Sequence, residues 1–264
     1  MTETQAYFEM AREGRLPADF NQWDLADENG WTVAHEAARC GHLPEGFNQW
    51  ELADKKGNLV AETALLYETL PKDFNQWDMK TSPFGRTLAH EAASLGVLPE
   101  GFSRWDLADK YGWTVAHEAV VDYPLPADFN QWSLANKDGT TVAHIAAETG
   151  FLPKDFNQWK LADKDGRTVA HVAAEYGHLP EGFDQWDLAD RHNHTVAHVA
   201  AEYGHLPEGF DQWELTNDND ETVAYIASKH NHLPKGFCKW ELTYKESEED
   251  DYYEDDYEDD YRIY

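Results

Sequence analysis

Hydrophobic and polar positions along the chain follow one order again and again. A run of small apolar residues broken by one histidine, Thr32-Val33-Ala34-His35-Glu36-Ala37-Ala38, leads to Gly41. Leu43-Pro44 follows, then two aromatic residues three apart, Phe47 and Trp50, then Leu52-Ala53 and a polar turn. The Leu-Pro pair marks the phase. It begins at Leu16, Leu43, Leu70, Leu98, Leu125, Leu152, Leu179, Leu206 and Leu233, in steps of 27 residues with a single step of 28. A fixed period of this length marks a repeat array, in which each unit buries its apolar face only against its neighbours.

Each stretch of the period predicts an element. Thr32 is placed to cap a helix, its hydroxyl taking an otherwise orphan backbone N–H. Val33 to Arg39 then read as helix, with alanines that favour the helix and let neighbours pack closely. Gly41 stands where a left-handed residue ends a helix, and Pro44 prevents its restart. Phe47 and Trp50 at i and i+3 predict a short helical turn with both rings on one face. The residue before the Phe is Asp or Gly in every copy (19, 46, 73, 101, 128, 155, 182, 209, 236), which fits an N-cap or a left-handed position. Leu-Ala-Asp-x-x-Gly predicts an extended piece and a turn into the next Thr.

The segment D-x-x-G-x-T-V-A-H-x-A-A-x-x-G-H, clean at residues 27–42 and 163–178, resembles the ankyrin repeat. The likeness runs over residues 5–244. Val-Ala stands where that family has Pro-Leu, and the period is 27 rather than the family's 33 residues, the shortfall falling after G-H-L. The resemblance implies an all-α, ankyrin-like solenoid with hairpin turns and about eight short repeats. Its outer helix would be shortened and covered by the F-x-x-W pair. Residues 1–15 form an N-terminal capping helix in this reading, 16–244 the array, and 245–264 an acidic tyrosine-rich tail. The resemblance also implies that the motif histidine bonds the capping Thr and the adjoining loop. It further implies that the hairpin tips and the inner helix face bind proteins.

Histidine and tryptophan in one short motif raise the question of a site. His35, His90, His117, His144, His171 and His198 share one phase, with Glu62 and Tyr225 in the remaining slots. A metal needs several ligands within about 2 Å of one ion, and equivalent side chains a repeat apart are too widely spaced for that. The nine F-x-x-W tryptophans (23, 50, 77, 105, 132, 159, 186, 213, 240) read as inter-repeat core. His192 and His194 fall at variable turn positions and read as solvated. No nucleophile elbow, phosphate loop or paired-carboxylate cleft is visible. We expect no catalysis, cofactor or metal.

Charge changes the picture. The chain carries 51 acidic and 21 basic side chains, a net charge of −30. Residues 246–264 hold 11 acids and one arginine, and residues 1–245 hold 40 acids and 20 bases, so both parts are acidic. Such a field disfavours direct binding to nucleic acid or anionic membranes and favours a basic protein partner. No apolar run is long enough to span a bilayer, and the N-terminus lacks the plan of a secretory signal. Cys40 and Cys238 lie near opposite ends of the array, too far apart to bridge. We expect a cytoplasmic protein, acting in its source cell or in a host cell.

Departures from the repeat locate candidate contacts. Repeat two loses the Thr cap and the His. Repeat three expands its turn over residues 80–86. Repeat four ends in Val120-Val121-Asp122-Tyr123-Pro124. Drift in a tolerant scaffold and a contact patch both account for this. Turn tips carry Trp31, Phe84 with Arg86, and Tyr111 with Trp113, residue types that dominate protein-binding hot spots. The slot after the motif His holds Glu36, Glu91 and Glu118 early, then Ile145, Val172, Val199 and Ile226, so a carboxylate stripe gives way to an apolar one. We take Trp31, Glu36, Phe84, Arg86, Glu91, Tyr111, Trp113, Glu118 and Tyr123 as candidate partner-binding residues.

Low apolar content makes disorder the default for the tail. There Asp250, Asp251, Tyr253, Asp255, Asp256 and Tyr257 are candidates. Tyr253, Tyr257 and Tyr261 recur every four residues, so a helix in a basic groove would align them. The tail then acts as an arm imitating nucleic acid, or simply keeps the chain soluble. Two functions follow: an inhibitor or sequestering factor of a basic, nucleic-acid-handling protein (immunity and counter-defence proteins are analogies), or an adaptor whose acidity serves solubility.

Overall fold

The computed structural model describes residues 2–244. Among these it is all-helical, a row of short helices each packed on the next. The helices are α1 (Glu3–Arg12), α2 (Val33–Cys40), α3 (Val60–Leu66), α4 (Leu88–Ser94), α5 (Val115–Asp122), α6 (Val142–Thr149), α7 (Val169–Tyr176), α8 (Val196–Tyr203) and α9 (Val223–Lys229), followed by a 3₁₀ turn at Trp240–Thr243. Helices of two turns are unstable alone. Here Val33, Ala34, Ala37 and Ala38 and their equivalents are sealed between neighbouring helices.

Thr and His build the starts of α2 and α4 to α8 together. Thr114 Oγ1 accepts the His117 N–H at 3.3 Å, and His117 Nδ1 accepts the Thr114 N–H at 3.2 Å. This is a capping box in which histidine replaces the usual Glu or Gln. In repeat two Leu59 supplies no cap, but the Glu62 carboxylate still accepts the Leu59 N–H at 2.6 Å.

Between helices the chain makes an antiparallel hairpin closed by a single bridge, Ala26 to Thr32 and its equivalents. Asp27 Oδ1 holds the turn by accepting the N–H groups of Asn29 and Trp31. Successive tips are also bonded. The Lys137 N–H donates to the Tyr111 carbonyl at 2.8 Å, and Lys164 to Asp138 at 3.1 Å. Gly139 shows how close they come: a Cβ there would lie 2.8 Å from the Lys164 nitrogen, and φ is +84°.

The expected outer helix is absent. Pro44–Phe47 and Gln49–Leu52 form two successive turns, with the Phe47 N–H on the Pro44 carbonyl and Leu52 on Gln49. Proline at the first position and few residues before the hairpin leave no room for an i to i−4 ladder. Where the variable position is Gly, as at Gly46, φ is +77° with nothing near the missing Cβ, so turn conformation and not space selects glycine. Where it is Asp, φ is not positive, so the same turn is made in another form.

The aromatic pairs replace the missing helix. Phe and Trp rings alternate down the array edge to face, for example Phe129 to Trp132 at 4.9 Å and Trp132 to Phe156 at 5.8 Å. Trp23 to Trp213 are buried or half-buried, whereas Trp240 is 55% exposed because no further repeat covers it. At the other end Tyr7 of α1 packs on Phe20 at 5.0 Å. The buried core falls into two clusters that meet at α3 and α4, the most loosely packed neighbours. That junction holds the 28-residue step.

Candidate functional site

The six phased histidines are joints between repeats. Each is buried, and its Nε2–H donates to a carbonyl 23 residues ahead at the next hairpin tip: Asn58 from His35, Trp113 from His90, Thr140 from His117, Arg167 from His144, His194 from His171 and Glu221 from His198. Nδ1 accepts from the capping Thr hydroxyl at 2.7–2.9 Å. Both nitrogens are used by the neutral ring, and burial lowers the pKa of all six, to about 4 for His117 and His198.

A second set of histidines works in the opposite direction. Nδ1–H of His42, His178, His205 and His232 donates to a helix carbonyl 31 residues back, at Ala11, Ala147, Ala174 and Ala201. Thr69 Oγ1 does the same to Ala38. Sequence reading treated this G-H histidine only as part of the motif. Its recurrence before Leu-Pro was the available signal.

Trp31, Glu36, Trp113 and Glu118 form two copies of one unit. Trp31 Nε1–H donates to Glu36 at 3.3 Å and Trp113 to Glu118 at 3.0 Å, while each indole lies against its motif histidine, 4.8 and 4.9 Å between centroids. Arginines complete them. Arg12 and Arg39 reach Glu36 at 2.7 and 2.6 Å. Arg86 bonds both oxygens of Glu118 at 3.0 and 3.1 Å and also bonds Glu91 at 3.1 Å. His194 lies on His198 at 5.1 Å as the tip tryptophans lie on theirs, so it is half-buried rather than solvated.

This arrangement corrects the reading of the carboxylate stripe. Glu36 is only 4% exposed, and although burial pushes its pKa up, the bonds from Arg39 and Arg12 bring it below its usual value. Arg86 bonds Glu118 through both oxygens and shares its single positive charge with Glu91, so the trio is only partly neutralised. Hydrogen bonding to Glu118 and Glu91 raises the Arg86 pKa despite its burial. These charges are held within the fold. The apolar half of the stripe is not an open face either, since Val199 and Ile226 are buried and Ile145 and Val172 pack on the core.

Phe84 and Tyr111 remain exposed at adjacent tips. Their rings stack at 6.5 Å, and Lys110 Nζ sits 3.7 Å from the Phe84 centroid. Lys110 went unnoticed in the sequence because its role depends on two tips being side by side. Tyr123 is apart from this group. It lies at the C-terminal end of α5, over Gly96, where a Cβ would meet its Cζ at 2.7 Å. Asp250, Asp251, Tyr253, Asp255, Asp256 and Tyr257 lie outside the described residues, as does the helical spacing read into them.

Among the described residues no group of three or more His, Cys, Asp or Glu side chains is placed to hold a metal ion. Cys40 and Cys238 are free thiols. None of the described helices is long and apolar enough to cross a membrane.

Exposed acids without an ion partner among the described residues recur along the array, at the tips (Glu28, Asp138) and after the F-x-x-W tryptophans. Asp24, Glu51, Asp106 and Asp187 each follow an F-x-x-W tryptophan, are exposed and make no ion pair among the described residues. At the same position Asp78 pairs with Arg104, and Glu214 with Lys239. Beside them, grooves open between consecutive repeats, lined by Leu-Pro, the aromatic pair and the Asn-Gln dipeptide of the next repeat.

The sequence matches no family model and no curated protein.

Proposed function

We propose that the chain is a non-catalytic protein-binding repeat protein whose partner is basic, and that it inhibits or sequesters a nucleic-acid-handling protein by presenting charge where nucleic acid would lie. The observation that carries this is the excess of exposed, unpaired carboxylates on a rigid array. Residues 1–245 have 40 acids against 20 bases, and acids such as Asp24, Glu51, Asp106 and Asp187 have no ion partner among the described residues. The C-terminal segment adds 11 acids in 19 residues and would strengthen long-range attraction.

The hairpin, the Thr-capped helix and the His-to-next-tip bond support an ankyrin-like origin, with the outer helix replaced by two turns. About eight such units make the array. A cytoplasmic, reducing setting fits the two free thiols.

Affinity capture with the full chain and with a chain ending at residue 245, at low and high salt and with competing DNA, tests the reading. We expect basic nucleic-acid-binding proteins, released by salt and by DNA. Partners without net positive charge, held regardless of salt, would overturn it. A second reading, an adaptor with acidity for solubility, is favoured by the exposed Phe84–Tyr111–Lys110 patch. It predicts capture that depends on Phe84 and Tyr111.

A further inference from the structure

The F-x-x-W face contains residues with no task inside the fold. Gln occupies the position before Trp in seven of nine repeats: Gln22, Gln49, Gln76, Gln131, Gln158, Gln185 and Gln212. Asn precedes it in five. Among the described residues none of these side-chain amides makes a hydrogen bond within the chain; only the Gln backbone carbonyl serves the turn. Turn chemistry does not demand Gln there. Neighbouring surface positions of the same period vary freely. The residue after Pro is Ala, Glu or Lys, and the residue after Trp is Asp, Glu, Ser or Lys. A repeated surface amide amid variable neighbours points outward for its reason.

The grooves supply the setting. One of about 770 Å³ is lined by Pro99, Phe102, Trp105, Phe129, Asn130 and Gln131. Others of about 390 and 300 Å³ repeat that lining with Asn75-Gln76 and Asn157-Gln158. Trp50, Trp105 and Trp132 line them, and their indole N–H groups are unbonded among the described residues yet not sealed from the surface. Each groove therefore combines apolar ring and proline surface with amide and indole donors. Glu100 and Asp128, Glu45 and Asp73, and Asp155 add negative charge to the three linings.

We propose that this face binds an extended, basic, proline-containing peptide segment in the polyproline II conformation, one peptide turn per repeat. The inference rests on the protein-binding reading above and names the form its partner takes. Spacing favours it. Neighbouring helices pack about 8–10 Å apart, and the aromatic row advances one repeat in ring steps of 4.9 and 5.8 Å. Polyproline II advances about 9.3 Å per three-residue turn. Chemistry favours it too. Proline offers a carbonyl but no N–H, so a donor-bearing groove suits it, and its ring packs on aromatic surface. Lysine or arginine between the prolines meets the acids that line the grooves, Glu45, Asp73, Glu100, Asp128 and Asp155.

The test uses the full chain and a labelled peptide of repeating Lys-Pro-Pro, followed by fluorescence anisotropy, against a peptide of the same composition in scrambled order. We expect the three-residue repeat to bind at least about tenfold tighter, and Gln131→Ala, Gln158→Ala and Trp132→Phe each to weaken it by about three- to tenfold. Gln158 is exposed and Gln131 half-buried, and neither side chain makes a hydrogen bond among the described residues, so their loss is expected to change folding little. Equal affinity for both peptides, or unchanged affinity in the variants, overturns the groove while leaving charge-driven protein binding in place. No binding of either basic peptide overturns both.

Discussion

His117 Nε2 donates to the Thr140 carbonyl at 3.1 Å, across 23 residues, while its Nδ1 takes the Thr114 hydroxyl at 2.7 Å. One ring thus caps its own helix and fastens the next hairpin. His117→Ala leaves the buried Thr114 N–H unpaired beside a new void and removes one of the two donors to the Thr140 carbonyl, which keeps the Asn136 N–H. We expect a loss of about 3 kcal/mol in urea unfolding. A loss below about 1 kcal/mol would show that the joint contributes little.

The same histidines set the response to acid. Their folded pKa values lie below the ordinary value of about 6.5, at about 4 for His117 and His198. Between these limits the unfolded chain binds protons that the folded chain does not, so stability is full above about pH 6.5 and falls as pH drops toward 4. His117 and His198 each cost about 1.4 kcal/mol per pH unit in that window, and the other four act in the same direction. Glu62, whose pKa burial raises, acts with the opposite sign, but it is one group against six. Melting temperature measured from pH 8 to 4 should fall steeply below about 6.5, and a flat profile to pH 5 would contradict this.

Arg86 holds Glu91 and Glu118 from the loop between α3 and α4. Partial exposure limits the value of these pairs. Arg86→Ala is expected to cost about 1–2 kcal/mol, since it leaves Glu118 with only the Trp113 indole. Denaturant unfolding checks it, with Arg104→Ala, an exposed pair, as the near-neutral comparison.

Val97 stands where His42, His178, His205 and His232 stand in other repeats. The junction of α3 and α4 therefore lacks the backward bond that His42, Thr69, His178, His205 and His232 make, as do the next two junctions, where Pro124 and Phe151 hold the position. Val97→His offers a donor to the Leu65 carbonyl, the equivalent of Ala38 and Ala11. A gain of about 1 kcal/mol is expected in urea unfolding, with slower amide exchange in α3. No gain would mean that the inserted residue in the 80–87 loop has moved the two helices out of register.

Period, helices and hairpins were legible because the same local signals recur: Thr at each helix start, Gly at most ends, Asp-x-x-Gly at the tips. The F-x-x-W stretch was not, because a spacing of three suits a helical turn and a pair of chain reversals equally. Pro44 with Gly46 decides for the latter. Glu36, Glu91 and Glu118 looked like a free acidic stripe, since their guanidinium partners become visible only when tip and helix are aligned. Arg86 and Glu118 are 32 residues apart. Arg39, three residues after Glu36, was the one local hint. The grooves escaped notice because the aromatic pair, read as core, left the intervening Asn-Gln unconsidered.

Whether the repeat face takes the partner, in preference to the hairpin tips or the C-terminal segment, is tested most directly by hydrogen exchange of the full chain with and without the Lys-Pro-Pro peptide. Slowed exchange should cluster at residues 44–52, 99–107, 126–134 and 153–161, recurring with the repeat. Slowing confined to the tips around Phe84 and Tyr111, or to residues beyond 244, would contradict binding at the grooves.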